Sequence, residues 1–186
     1  MKISHQLKDG QIFFTGDQHW FHDNIIKYTQ RPFENVEEMH EELILRHNAV
    51  VGKNDVVIHL GDFSFAPPEK TQKIFKRLNG QHHLVLGNHD HPGNGDFFRS
   101  RGDYLELVVH DVGEKQLIIC CHYAFQVWNK SHHGSWHVHG HSHGKLPAQG
   151  KRQDVGVDTH DYYPYSFRQL KEIMDLRAIS EFEYSE

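Results

Sequence analysis

Five short apolar runs in this chain end alike, each in an aspartate, an asparagine or a histidine. Ile12–Thr15 (IFFT) leads into Gly16, Asp17, Gln18 and His19. Residues 55–60 (DVVIHL) lead into Gly61 and Asp62, and residues 83–86 (HLVL) into Gly87, Asn88, His89 and Asp90. Residues 116–121 (QLIICC) lead into His122, and residues 136–138 (WHV) into His139, Gly140, His141, Ser142 and His143. Runs this short, bounded by turn-forming residues, read as buried strands. In α/β sheets, ligands gather beyond the carboxyl ends of strands. Glycine at such an end permits a sharp turn and a close backbone approach. The polar residues of all five ends can therefore converge on one site.

Between the runs the pattern turns helical. Residues 37–50 place Met39, Leu43, Leu45 and Val50 on an imperfect helical face. Residues 67–78 predict a helix, with prolines at its start and Asn79-Gly80 beyond its end. Residues 104–109 and 116–121 predict paired strands around a turn at Gly113, and residues 154–157 a further short strand. Ser166 is the expected N-cap of a last helix through Phe167, Leu170, Ile173, Met174 and Arg177. A β-α-β-α-β start followed by β-rich sequence indicates an α/β layer fold. One sheet with helices on both faces accommodates this order. Two sheets packed face to face, with helices outside, explain the β-rich second half better.

A chain of 186 residues suits a single domain spanning 1–186. Its formal net charge of -5, with histidines neutral, argues against an extended nucleic-acid footprint. No apolar run approaches the roughly 20 residues of a membrane span, so no membrane partner is expected. The N-terminal MKISHQLKDG has no apolar signal core. The only cysteines, Cys120 and Cys121, are adjacent in an apolar run and read as core residues rather than a disulfide. Together these features predict a cytoplasmic protein.

Histidine is the outlier, at 19 of 186 residues. Asp17, Asp62, Asn88, His19, His122, His141 and His143 offer nitrogen and oxygen donors with no thiolate pattern. That set suits Mn, Fe, Zn or Ni better than Ca or a lone Mg. It is too large for one ion and suitable for two divalent metal ions that share a carboxylate. Two such ions bring more positive charge than Asp17 and Asp62 remove, so the site would draw an anionic ester. Taken singly, the motifs have plainer explanations: an Asp after a strand or a Gly-Asp turn is common, and Asn-His-Asp can be a turn. Their joint order, each at a strand end, carries the weight.

That ordered set, Asp17-Gln18-His19, Gly61-Asp62, Gly87-Asn88-His89-Asp90, His122 and Gly140-His141-Ser142-His143, resembles the calcineurin-like metallophosphoesterases. Residues 20–33 (WFHDNIIKYTQRPF), residues 154–158 (DVGVD) and the final helix look like small bacterial and phage members of that family. Gly16 stands where a serine is frequent, which touches no ligand. The resemblance implies an α/β fold, a four-layer α/β/β/α sandwich of two mixed sheets flanked by helices. It implies one metal held by Asp17, His19, Asp62 and His143, and another by Asp62, Asn88, His122 and His141, with Asp62 bridging. It assigns attack to a metal-bridging hydroxide. His89 would protonate the leaving oxygen or stabilise transition-state charge, and Asp90 would orient and charge His89.

Beyond the motifs, His22, Asn24 and Arg31 are candidate substrate contacts, weighed against a surface histidine and a loop-fixing arginine. Strand alternation would put His137, His139, His141 and His143 on one face. His139 then either supports the site or is merely buried. Tyr123 and residues 161–167 (DYYPYSF) read as packing, and His82 and His83 as strand residues without a function. The gaps between motifs are too short for a cap domain. An uncapped, shallow site suggests a phosphodiesterase of broad tolerance acting on small phosphate esters, cyclic nucleotides or artificial diesters among them. A nuclease acting on short single strands is a second reading, against which the charge balance stands. A non-catalytic protein-binding scaffold is a third, against which the intact His89 and Asp62 stand.

Overall fold

The computed structural model describes residues 1–91 and 93–179. In chain order the elements are β1 (Lys2–Gln6), β2 (Ile12–Thr15), α1 (Asp23–Tyr28), α2 (Val36–Val50), β3 (Val56–His59), α3 (Pro68–Phe75) and β4 (Gln81–Val85). There follow β5 (Ser100–Gly102), β6 (Leu105–Asp111), β7 (Glu114–Cys120), β8 (Trp136–His139), β9 (Arg152–Asp154), β10 (Tyr165–Ser166) and α4 (Phe167–Asp175). They form two five-stranded sheets, ordered β10-β2-β3-β4-β5 and β1-β6-β7-β8-β9. The first is parallel except for edge strand β10. In the second, only the β6–β7 pair is antiparallel. The architecture is therefore an α/β sandwich of two mixed sheets flanked by helices.

Period-two alternation sorts the strand residues. Ile12 and Phe14 of β2 and Val56 and Ile58 of β3 face Leu105, Leu107, Ile118, Cys120 and Val138 of the other sheet in one continuous core. Each fully buried Leu, Ile or Phe there contributes about 1.5–3 kcal/mol. The opposite face of the first sheet meets the helices, with Leu84 packed among Met39, Leu43 and Ile74. Helix α4 is closed at its start by a reciprocal Ser166–Gln169 capping box. It buries Phe167, Leu170 and Met174 against the inter-sheet core, where Phe167 stacks on Trp136. No described helix is long and apolar enough to cross a membrane.

Several local expectations shift. The buried face of α2 is Met39, His40, Leu43, Ile44 and His47, while Leu45 and Val50 are exposed. Histidines complete an apolar stripe that hydrophobic spacing alone places wrongly. The strand expected at 154–157 ends at Asp154, and Val157–Thr159 forms a 3-10 turn. Helix α4 stops at Asp175, short of Arg177. Strands β1 and β5 have no counterpart in the sequence reading. The first carries one apolar residue and alternates exposed with half-buried positions, and the second is SRG.

Because β2, β3 and β4 run parallel, their carboxyl ends lie along one edge. The parallel pair β7 and β8 delivers two more ends from the second sheet.

Candidate metal centre

All five strand ends meet. Ligand atoms of Asp17, His19 and His143 lie within 4.8 Å of one another, and so do those of Asp62, His122 and His141. Asp62 stands between the two groups. Its Oδ2 is 3.6 Å from His19 Nε2, and its Oδ1 is 3.5 Å from His122 Nε2. Asn88 joins the second group, with Oδ1 3.1 Å from His122 Nε2.

The backbone is bent to achieve this. Asp17, His19, Asp62, His141 and His143 all adopt positive φ, between 47° and 65°. Such conformations cost of order 1–3 kcal/mol each and persist only where the surroundings enforce them. Here cross-loop hydrogen bonds do so: Asp17 N–H donates to Gly61 O, and His19 N–H to Asp62 O. The His141 N–H donates to Asp17 Oδ1. Two glycines make the close approach possible. A Cβ on Gly61 would lie 2.5 Å from His122 Nδ1, and one on Gly87 would lie 2.3 Å from the Asp62 backbone nitrogen.

Hydrogen bonds on the far ring nitrogens set the tautomers. His122 Nδ1 lies 2.6 Å from Leu60 O, so it carries the proton and leaves Nε2 a lone pair. His143 Nδ1 lies 2.7 Å from Asp158 Oδ2, with the same consequence. Arg31 grips that carboxylate through Nε and Nη2, both at 2.8 Å. Burial alone would raise the Asp158 carboxyl, but His143 and Arg31 outweigh it and hold the group down at about 2.

The donor set fits divalent cations. Asp17 Oδ2 and both ring nitrogens of His19 are buried without a hydrogen-bond partner among the described residues. Buried orphans of this kind are costly, and a cation would satisfy them. Burial, helped by the charges of Arg31 and His143, pushes the His19 imidazole down to about 2, so it is neutral and able to ligate. Burial pushes the Asp17 carboxyl well above its usual range, a cost that a bound cation removes.

Residues outside this set fare unevenly. His89 is exposed at the mouth, anchored by its N–H to Asp62 Oδ1. Asp90 does not hold the His89 ring. Its oxygens accept the backbone N–H groups of Asp62, Phe63 and Gly87, and so pin the second motif to the third. Arg31 is no open substrate contact either. It is 4% exposed and committed to Asp158 and to the carbonyls of Asp17 and Gln18. Asn24 is exposed on α1, and no bond joins it to the centre among the described residues. His22 is half-buried beside the centre, its ring 5.6 Å from that of His19.

Tyr123 is more than packing: it is 47% exposed, its ring lies 4.8 Å from His141, and its hydroxyl donates to Asn88 Oδ1 at 3.4 Å. Strand β8 ends at His139, so the alternation does not reach His141 and His143, which sit in the following turn. His137 and His139 are buried and bond to the carbonyls of Ile119 and Gly140. The sequence reading did not single out Asp158 or Phe65. Only the DVGVD segment carried a signal for the former.

Paired sheets, the ordered motifs and two donor clusters joined by one carboxylate are the arrangement that the resemblance to the calcineurin-like metallophosphoesterases implies, and the chain belongs to one family with an archaeal protein. More narrowly, it is 32% identical over 174 residues to "Uncharacterized protein MJ1445" of Methanocaldococcus jannaschii, covering 89% of this chain and 92% of that protein. The Gene 66 protein of Mycobacterium phage L5 is 26% identical over 179 residues, covering 79% and 86%. Among solved structures, a protein of unknown function from Aquifex aeolicus, AQ665, shares the fold. Its TM-score is 0.67 at 22% identity, over 88% of this chain and 98% of that one. No family model matches the chain.

Proposed function

We propose that this chain is a two-metal phosphohydrolase acting on small phosphate esters, diesters above all. The observation that carries the reading is Asp62, whose two oxygens face the two histidine clusters at 3.5 and 3.6 Å. Two divalent ions from the Mn, Fe, Zn and Ni group would supply Lewis acidity and activate water for in-line attack on phosphorus. Asp17, His19, Asp62 and His143 would hold one, and Asp62, Asn88, His122 and His141 the other.

The chain's own residues supply the rest. Leu60 O and Asp158 take the Nδ1 protons of His122 and His143, so both rings keep Nε2 free without paying for deprotonation. His89 stands exposed at the mouth and donates its ring N–H to the leaving oxygen, which matters most when the alkoxide is a poor leaving group. Asn88 and His141 are also exposed, so the centre opens to solvent and admits a small ester. His22 borders the centre from the α1 side. The formal charge of -5 favours such substrates over long nucleic acids. The buried free thiols of Cys120 and Cys121 favour a reducing, cytoplasmic setting.

The test is turnover of bis-p-nitrophenyl phosphate and p-nitrophenyl phosphate by stripped protein re-supplied with Mn, Ni, Zn or Mg. Metal-dependent diester cleavage exceeding monoester cleavage is expected. Metal binding without cleavage of either ester would overturn the reading.

A further inference from the structure

With Asp90 bound to three backbone N–H groups, the His89 imidazole needs another support. It rests on Phe65, with ring centroids 4.6 Å apart and planes inclined by 28°. His22 stacks on the same phenyl ring at 4.0 Å and 21°. Two rings that each stack on Phe65, and not on one another, lie on its opposite faces. Phe65 is therefore the middle leaf of a three-ring sandwich. His19 lies beside all three, 5.3 Å from Phe65, 5.6 Å from His22 and 5.9 Å from His89.

The middle leaf is held by the strands that build the centre. Phe65 N–H donates to Trp20 O, and Trp20 N–H to Phe63 O, both at 3.0 Å. Trp20 and Ser64 form an isolated parallel bridge. The loop after β3 is thereby paired with the loop after β2, which carries Asp17 and His19. Core packing does not account for Phe65, which is 37% exposed at the mouth. Nor is it a stacking platform for a substrate ring, since both of its faces are taken.

We propose that Phe65 is a positioning residue for His89, with His22 bracing its far face, and that this stack orients the imidazole over the paired clusters. The ring placement rests on geometry alone. Its kinetic consequence rests on the phosphoesterase reading.

The test uses Phe65→Leu, Phe65→Tyr, His89→Ala and the Phe65→Leu/His89→Ala double variant. Metal content is measured, then kcat and KM for diesters with graded leaving groups. Phe65→Leu should keep its metals and its KM and lose about 10- to 100-fold in kcat on poor leaving groups, the scale of a misplaced reacting group. The loss should be smaller for nitrophenyl esters. Phe65→Tyr should restore the rate. In the His89→Ala background Phe65→Leu should cost nothing further, because residues acting as one unit are not additive. NMR of stripped protein gives a readout independent of activity. The His89 ring protons, shielded by the phenyl face, should move downfield in Phe65→Leu. An unmoved His89 signal, or an equal rate loss with and without His89, would overturn the proposal. If the wild type cleaves no ester, the phosphoesterase reading fails while the NMR shift still decides the stack.

Discussion

His143 donates its Nδ1–H to Asp158 across 2.7 Å, and Arg31 holds the same carboxylate from the other side. Arg31 also reaches the carbonyl of Asp17, so one buried guanidinium braces two arms of the centre. A carboxylate behind a ligating histidine fixes its tautomer and raises its basicity.

Asp158→Asn should therefore weaken metal binding about 10- to 100-fold, the usual effect of losing such a partner. It should also destabilise the metal-free protein by up to about 3–5 kcal/mol, because Arg31 loses its buried counter-charge. Calorimetric Mn titration and urea melts read the two effects separately. Metal affinity equal to wild type would break the link between Asp158 and the centre.

His89→Ala should retain both metals and lose about 10²- to 10⁴-fold on diesters with alkyl leaving groups, the range for a general acid. Loss on nitrophenyl esters should be much smaller. An equal loss across leaving groups would remove His89 from the acid role.

Gly87→Ala should displace Asp62, since the added Cβ would lie 2.3 Å from its backbone nitrogen and its Oδ1. Metal stoichiometry should fall even though no donor is changed. A variant that binds two ions normally would show that the loop yields.

Away from the centre, His47 lies on the buried face of α2 against Asn79 O, and burial holds its imidazole down at about 4. The folded value lies below the unfolded 6.5, so the unfolded chain takes up the proton first. The neutral ring's contribution is complete above pH 6.5 and is lost as pH falls toward 4. His47→Gln keeps a donor for Asn79 but does not titrate. In chelated protein, wild-type stability should fall relative to this variant by about 1.4 kcal/mol per pH unit across that window. Parallel pH curves would contradict the assignment.

The convergence of Asp17, His19, Asp62, Asn88, His122, His141 and His143 was legible because each follows the end of an apolar strand, and parallel strands bring such ends to one edge. What the sequence concealed depends on long-range contact. Asp158 meets His143 and Arg31 only after the turn following β9 folds back across the site. Phe65 reads as an ordinary loop phenylalanine until β2 and β3 pair their following loops. Asp90 kept its place in the motif, but local geometry gave its oxygens to backbone N–H groups rather than to His89. Strand β5 carries no apolar signal of its own and forms by pairing with β4.

The most direct test of the shared carboxylate is electron paramagnetic resonance of stripped protein titrated with Mn(II). Ions bridged through Asp62 would sit about 3.5–4 Å apart. Two ions per chain with a spin-coupled signal, lost in Asp62→Asn, are expected. A single ion, or two that remain uncoupled in the wild type, would contradict a shared carboxylate.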